Sequence, residues 1–199
     1  DDPPPKRLHT IGRAFPGNEV TIVVDEGEDG GASQSGELLV RGAATSSGYF
    51  RDLEATLDAW GKVGKEGWYK TGDIGLMDEE GYFRIIGRKK DMIIRGGQNI
   101  YPKEIEDLVL GHPKVLEAAV IGIPDEVFGE KACACVRTTA GNSVTFEELI
   151  AFLKKKGLAI HKLPEYLEIV DDLPRLVEGQ KIDRIALGRF VREKLGISP

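Results

Sequence analysis

Tyr69-Lys-Thr-Gly-Asp73 is followed a short way on by Gly87-Arg-Lys-Lys-Asp-Met-Ile-Ile-Arg-Gly-Gly-Gln-Asn-Ile-Tyr-Pro102. The chain changes texture between these two stretches. Before Gly87 the runs are short, β-type and bounded by Gly, Asp and Ser. Beyond Gly96-Gly97, helical and strand-like patterns interleave. Chemically, the two stretches combine an acid on a glycine turn, a dense basic cluster and tandem glycines. That combination suits a ligand with a polyol and phosphates.

Upstream, Glu19-Val-Thr-Ile-Val-Val24 and Gly36-Glu-Leu-Leu-Val-Arg-Gly42 read as strands joined by turns. Glu66–Lys70 and Gly81–Gly87 continue the pattern, with Asp78-Glu-Glu-Gly81 as a hairpin connection, and Arg51–Trp60 reads as a short helix. Asp1–Pro5 is the one low-complexity tract. Downstream, Pro102 suits a first helical turn, with Glu104 and Glu106 near its positive end. Gly111-His-Pro113 ends that helix, and Val115–Ile123 and Ala132–Thr138 read as strands. Thr145-Phe-Glu-Glu148 is a capping box opening another helix. A strand over Glu165–Val170 and a helix over Ile182–Leu195 complete the chain. The expected fold class is α+β: a β-rich part at 1–88, a junction at 89–91 and a compact α+β domain at 92–199.

Composition narrows the function classes. The 199 residues are 41% hydrophobic and 30% charged, with a net charge of −6, which argues against nucleic acid as the main partner. No apolar run approaches the ~20 residues that span a bilayer. Cys133 and Cys135 alternate along a strand, so both face one side and read as small core residues. With only three histidines, none at ligand spacing, no metal site is expected. The cytoplasm is the natural compartment.

Four groups of residues carry the chemistry. Asp73, held by Thr71-Gly72, can accept two charge-assisted hydrogen bonds from a ribose diol; an isolated Thr-Gly-Asp reads first as a capped turn, and the surrounding motif reverses that preference. Lys89, Lys90 and Arg95 are clustered cations in an acidic chain. Gly96 and Gly97 permit close backbone approach to a ligand, or simply a turn. Lys181 is the only lysine in Leu173-Pro-Arg-Leu-Val-Glu-Gly-Gln-Lys181-Ile-Asp-Arg184, and an ammonium is a mobile point charge suited to a developing phosphate anion.

Taken in order, these motifs resemble those of the adenylate-forming acyl-CoA synthetase superfamily, the AMP-binding acid–thiol ligases. Thr10-Ile-Gly-Arg13, Gly48-Tyr49 and Gly122-Ile-Pro-Asp125 with Gly129-Glu130 add weaker matches, so the likeness runs from Arg7 to Leu195. The resemblance implies that Asp73 and Arg88 grip the adenylate ribose, and that Lys90 is the hinge of a rotating C-terminal domain. It also implies that Arg95, Gly96 and Gly97 line the pantetheine tunnel of CoA, and that Lys181 bridges acyl carboxylate and phosphate oxygens. The last motif departs from the family pattern: Leu176 stands at the Thr position, and Gln180 separates Gly179 from Lys181.

The implied parent is an ATP-dependent acid–CoA ligase, whose partners are a carboxylic acid, ATP and CoA, with Mg2+ held mainly by upstream residues and the phosphates. The family's phosphate loop is missing from the sequence, and its acyl pocket is expected upstream, so this chain alone is expected to be inactive. Two alternatives remain open here. One is an adenylation domain that loads a carrier protein; the other is a stand-alone, non-catalytic binding module.

Overall fold

The computed structural model describes residues 2–24, 34–60, 67–176 and 181–197. The fold is α+β, and the chain forms two compact units, Asp1–Lys90 and Asp91–Pro199.

In the first unit, α1 (Pro4–His9) precedes β1 (Asn18–Val23), β2 (Gly36–Gly42), α2 (Leu53–Trp60), β3 (Tyr69–Met77) and β4 (Phe83–Arg88). The strands form an antiparallel meander in the order β1-β2-β3-β4. Ile22, Leu38 and Phe83 are its buried core. The β3–β4 turn forms as expected, because the Asp78 carboxylate accepts the N–H groups of Glu80 and Tyr82 at 3.0 and 2.9 Å. The proline tract leads into a helix that the sequence pattern did not suggest, beginning at Pro4. Proline fits a first turn, whose N–H groups have no helical partner. The Lys6 and Arg7 N–H groups then donate to the Pro3 carbonyl at 3.0 and 3.2 Å. Glu66, expected to begin a strand, lies outside the described residues.

The second unit contains β5 (Ile93–Arg95), β6 (Gln98–Ile100), α3 (Pro102–Val109), β7 (Val115–Asp125), β8 (Gly129–Thr138), α4 (Phe146–Lys155), β9 (Tyr166–Ile169) and α5 (Arg184–Leu195). Four strands run in the order β6-β5-β8-β7, and β9 joins β8 in parallel. Side chains alternate along β8 and feed two cores. Ala132, Ala134 and Val136 face Ile105 and Val109 of α3 and Leu149 and Leu153 of α4. Cys133 and Cys135 face Leu187 and Val191 of α5. A strand covered on both faces reads as a nearly continuous apolar run, as this one does. Both cysteines are buried and free, and the hydrogen-bonding contact with Cys135, reinforced by burial, pushes the Cys133 thiol far above its ordinary range.

Capping sets the helix bounds. Thr145 accepts the Glu148 N–H at 3.2 Å at the start of α4. Asp183 accepts the N–H groups of Ile185 and Ala186 at 3.1 and 2.9 Å, so α5 starts at Arg184 and not at the expected Ile182. Gly96-Gly97 does more than interrupt the sequence pattern. Both residues have positive φ, +56° and +78°, and they turn β5 back onto β6 with Arg95 opposite Gln98. That is the two-residue hairpin which tandem glycine favours. No helix among the described residues is long and apolar enough to cross a membrane.

Candidate functional site

In the first unit, Asp73 and Arg88 face each other across β3 and β4. Arg88 Nε lies 2.9 Å from Asp73 Oδ1, with both side chains partly exposed. The ladder fixes this opposition, and the register slips by one residue immediately beyond it, between Ile74 and Gly75. Such bulges re-aim side chains beside sites. Thr71 sets the approach to the acid: its hydroxyl donates to the Leu38 carbonyl at 2.8 Å and accepts the Asp73 N–H at 3.0 Å. Gly72 between them has φ +71°, a backbone state that a Cβ disfavours. Arg88 also donates to the Thr71 carbonyl at 3.3 Å.

Asp73 lines a cavity of about 610 Å3 together with Tyr49, Trp60, Tyr69 and Thr71. The Trp60 indole stands 4.5 Å from the Tyr69 ring and 5.9 Å from the Tyr49 ring, centroid to centroid. A hydrogen bond to Tyr49, reinforced by partial burial, raises the Tyr69 phenol above its ordinary range, so it stays neutral. Aromatic faces beside an arginine-paired carboxylate can hold a flat, apolar-faced group attached to a diol. From the sequence, Tyr69 and Tyr49 read only as members of motifs and Trp60 only as the end of a helix, and none as part of a shared aromatic wall. Their signal was spread over a helix and two separate segments, and only the fold gathers it.

The basic cluster is dispersed into separate pairs. Lys89 reaches Glu37 of β2 at 2.8 Å. Lys90, at the boundary of the units, is exposed within a single 3-10 turn, Lys89–Asp91. Arg95 belongs to the second unit and is held by protein partners: it pairs with Glu165, donates to the His161 carbonyl at 3.1 Å and lies 5.1 Å from the Phe128 ring centre. Gly96 and Gly97 extend beyond this anchor at the β6–β5 edge of the sheet. Glu104 is tied to Lys162 at 2.7 Å.

Lys181 is exposed and lies in the second unit, on the returning arm of a hairpin. Arg175 pairs with Ile182. The Leu176 N–H donates to the Lys181 carbonyl at 3.0 Å, and the Asp183 N–H to the Pro174 carbonyl at 2.7 Å. Val177–Gln180, which include the extra residue, lie outside the described residues. Arg175 and Arg184, at the base of the hairpin, reach Glu117 and the Val120 carbonyl of β7, the strand at the opposite side of the sheet from β6. Among the described residues, no group of three or more His, Cys, Asp or Glu side chains is placed to hold a metal ion.

Comparison with known proteins places these features in a family. Residues 104–180 match the family model of the AMP-binding enzyme C-terminal domain. The chain is 43% identical over 191 residues to the mouse mitochondrial medium-chain acyl-CoA ligase ACSF2, covering 96% of this chain and 30% of that one. It is 44% identical over 198 residues to the putative acyl-CoA synthetase YngI of Bacillus subtilis (strain 168), covering 97% and 34%. Among solved structures, ATP-bound MatB from Rhodopseudomonas palustris superposes with a TM-score of 0.82 at 34% identity, covering 94% of this chain and 36% of that one. The chain therefore spans about a third of the length of the relatives it matches. It belongs to the adenylate-forming, AMP-binding superfamily of acyl-CoA ligases, and it carries that family's C-terminal domain.

Proposed function

We propose that the chain is part of an ATP-dependent acid–CoA ligase. Such an enzyme first joins a carboxylic acid to ATP, giving an acyl-adenylate and releasing pyrophosphate. It then transfers the acyl group to the CoA thiol and releases AMP. A carboxylate is a poor electrophile, and the mixed anhydride with AMP makes its carbonyl attackable.

The observation that carries this reading is the Asp73–Arg88 pair beside the aromatic-lined cavity. Asp73 accepts from both ribose hydroxyls, Arg88 holds the acid in place and contributes donors of its own, and the aromatic faces flank the nucleotide. Lys181 presents its ammonium to the carboxylate and phosphate oxygens during adenylation, where a preorganised charge lowers the barrier most. Gly96-Gly97, anchored by Arg95, lines the path of the pantetheine arm, where absent side chains let backbone and thiol carrier approach closely. Lys181 and the glycine hairpin lie at opposite sides of one sheet. A hinge at Lys90, separating residues 1–88 from the mobile domain 92–199, supplies the exchange that brings each to the adenylate in turn. Mg2+ is held mainly by the phosphates and by upstream parts of the ligase. Two free, buried thiols fit a reducing compartment, the cytoplasm.

The test uses the full-length ligase with a panel of carboxylic acids. Without CoA, ATP and the preferred acid should yield acyl-AMP and pyrophosphate; adding CoA should yield the thioester and AMP. Acyl transfer only to a phosphopantetheinyl carrier protein, with none to CoA, would contradict the CoA assignment. Absence of any acid-dependent pyrophosphate release would contradict the ligase reading itself.

A further inference from the structure

Both arms of the Lys181 hairpin are clamped to the same strand by an arginine. On the outgoing arm, Arg175 pairs with Glu117 of β7. Glu117 is itself fixed from β8, because it accepts Arg137 Nε at 2.6 Å from the residue opposite it in the ladder. On the returning arm, Arg184 donates to the Val120 carbonyl at 2.7 Å and pairs with Glu106 of α3 at 2.8 Å. It also stands 3.7 Å from Asp91, the first residue of this unit. Glu106 completes a ring by accepting the Val120 N–H at 2.7 Å. Val120 lies on an outer strand, and the groups its backbone turns away from β8 are taken up by these two side chains.

Such contacts fix geometry more than they add stability. The Arg184 and Glu106 side chains are largely sheltered from solvent, 27% and 13% exposed. Arg184 serves a carbonyl and two carboxylates at once, which suits a planar guanidinium with five donors. A lysine ammonium has one centre and cannot span them. We propose that Arg184 and Arg175 are positioning residues for Lys181: they hold its hairpin in register with β7 and tie it to Asp91, next to the hinge. This rests on the reading of Lys181 given above. The backbone of Lys181 is thereby fixed, while its exposed side chain stays free to reach the phosphate. In the sequence, the extra residue of the motif, Gln180, falls between the two anchoring arginines.

The experiment measures both half-reactions in the full-length ligase: acid-dependent ATP–pyrophosphate exchange, and thioester formation from pre-made acyl-adenylate and CoA. The variants are Arg184→Lys, Arg175→Lys, Lys181→Ala and the double variant Arg184→Lys/Lys181→Ala, each checked by circular dichroism and thermal melting. Arg184→Lys should lower exchange by about 10–100-fold, the scale of a misplacement near 1 Å, with thioester formation unchanged. Arg175→Lys should act in the same direction and more weakly. Adding Arg184→Lys to Lys181→Ala should cause no further loss of exchange. A parallel fall of both half-reactions would reduce the arginines to general structural support and overturn the proposal. Full exchange in both arginine variants beside a dead Lys181→Ala would overturn the clamp alone. Full exchange in Lys181→Ala would overturn the reading beneath it, and the clamp with it. If Arg184→Lys does not fold, Arg175→Lys and Glu117→Gln decide the question from the other arm.

Discussion

Arg88 stands directly opposite Asp73 in the β3–β4 ladder, with its Nε 2.9 Å from the carboxylate. The two are joined by backbone register as well as by charge, so the acid keeps its orientation when solvent or ligand exchanges around it. With Asp73 at the ribose as proposed, Asp73→Ala in the full-length ligase should remove charge-assisted hydrogen bonds to the nucleotide worth about 1.5–3 kcal/mol each. The Michaelis constant for ATP should rise by about tenfold or more. Steady-state kinetics at varied ATP measures this, and an unchanged constant would remove Asp73 from the nucleotide site.

The Gly96-Gly97 turn gives a second expectation. Both positions are left-handed, which costs a side-chain-bearing residue about 1–2 kcal/mol. At Gly97 no neighbouring atom lies within 4 Å of an added Cβ, so Gly97→Ala tests the backbone and ligand approach without a clash. Thermal melting should show a modest loss of stability. Thioester formation from acyl-adenylate should fall while pyrophosphate exchange persists. Equal loss of both would separate this turn from the CoA path.

Acid should weaken the second unit in a defined direction. Lys114 beside Glu148 and Lys131 beside Asp125, at 2.9 and 2.5 Å, hold both carboxyls below their ordinary range. Carboxyls depressed in the folded state contribute stability above their unfolded values and lose it as pH falls through the folded ones. The melting temperature should therefore fall as the pH drops below about 4, and Lys114→Met should flatten part of that slope. A melting temperature that rises on acidification would contradict the assignment.

The parts legible in sequence were those fixed by local chemistry. The Thr145 cap, the Asp78 turn and the alternation around Cys133 and Cys135 depend on neighbours within a few residues, and each appears where it was read. Gly96-Gly97 was legible as a break and as a turn, but the strands it joins were not, because they are only three residues each and carry little periodic signal. The opposition of Asp73 and Arg88 follows from hairpin register once the strands are placed. The clamps had no local signal. Glu106 sits where a helix N-terminal acid is expected on dipole grounds, yet its partners are Val120 and Arg184, brought near only by tertiary packing. Arg95 read as part of a cationic cluster, whereas Glu165, far along the chain, engages it.

Lys181 carries the central claim, that one ammonium on a mobile C-terminal domain serves adenylation and not thioester formation. Once the acyl-adenylate exists, no phosphoryl transfer remains for it to stabilise. The most direct measurement compares Lys181→Ala with the parent in the two isolated half-reactions of the full-length ligase. Acid-dependent pyrophosphate exchange should fall by about 10²–10³, the usual loss for one preorganised contact, while thioester formation from supplied acyl-AMP and CoA should stay near the parent rate. Normal exchange in Lys181→Ala, or a matching collapse of both half-reactions, would contradict the account.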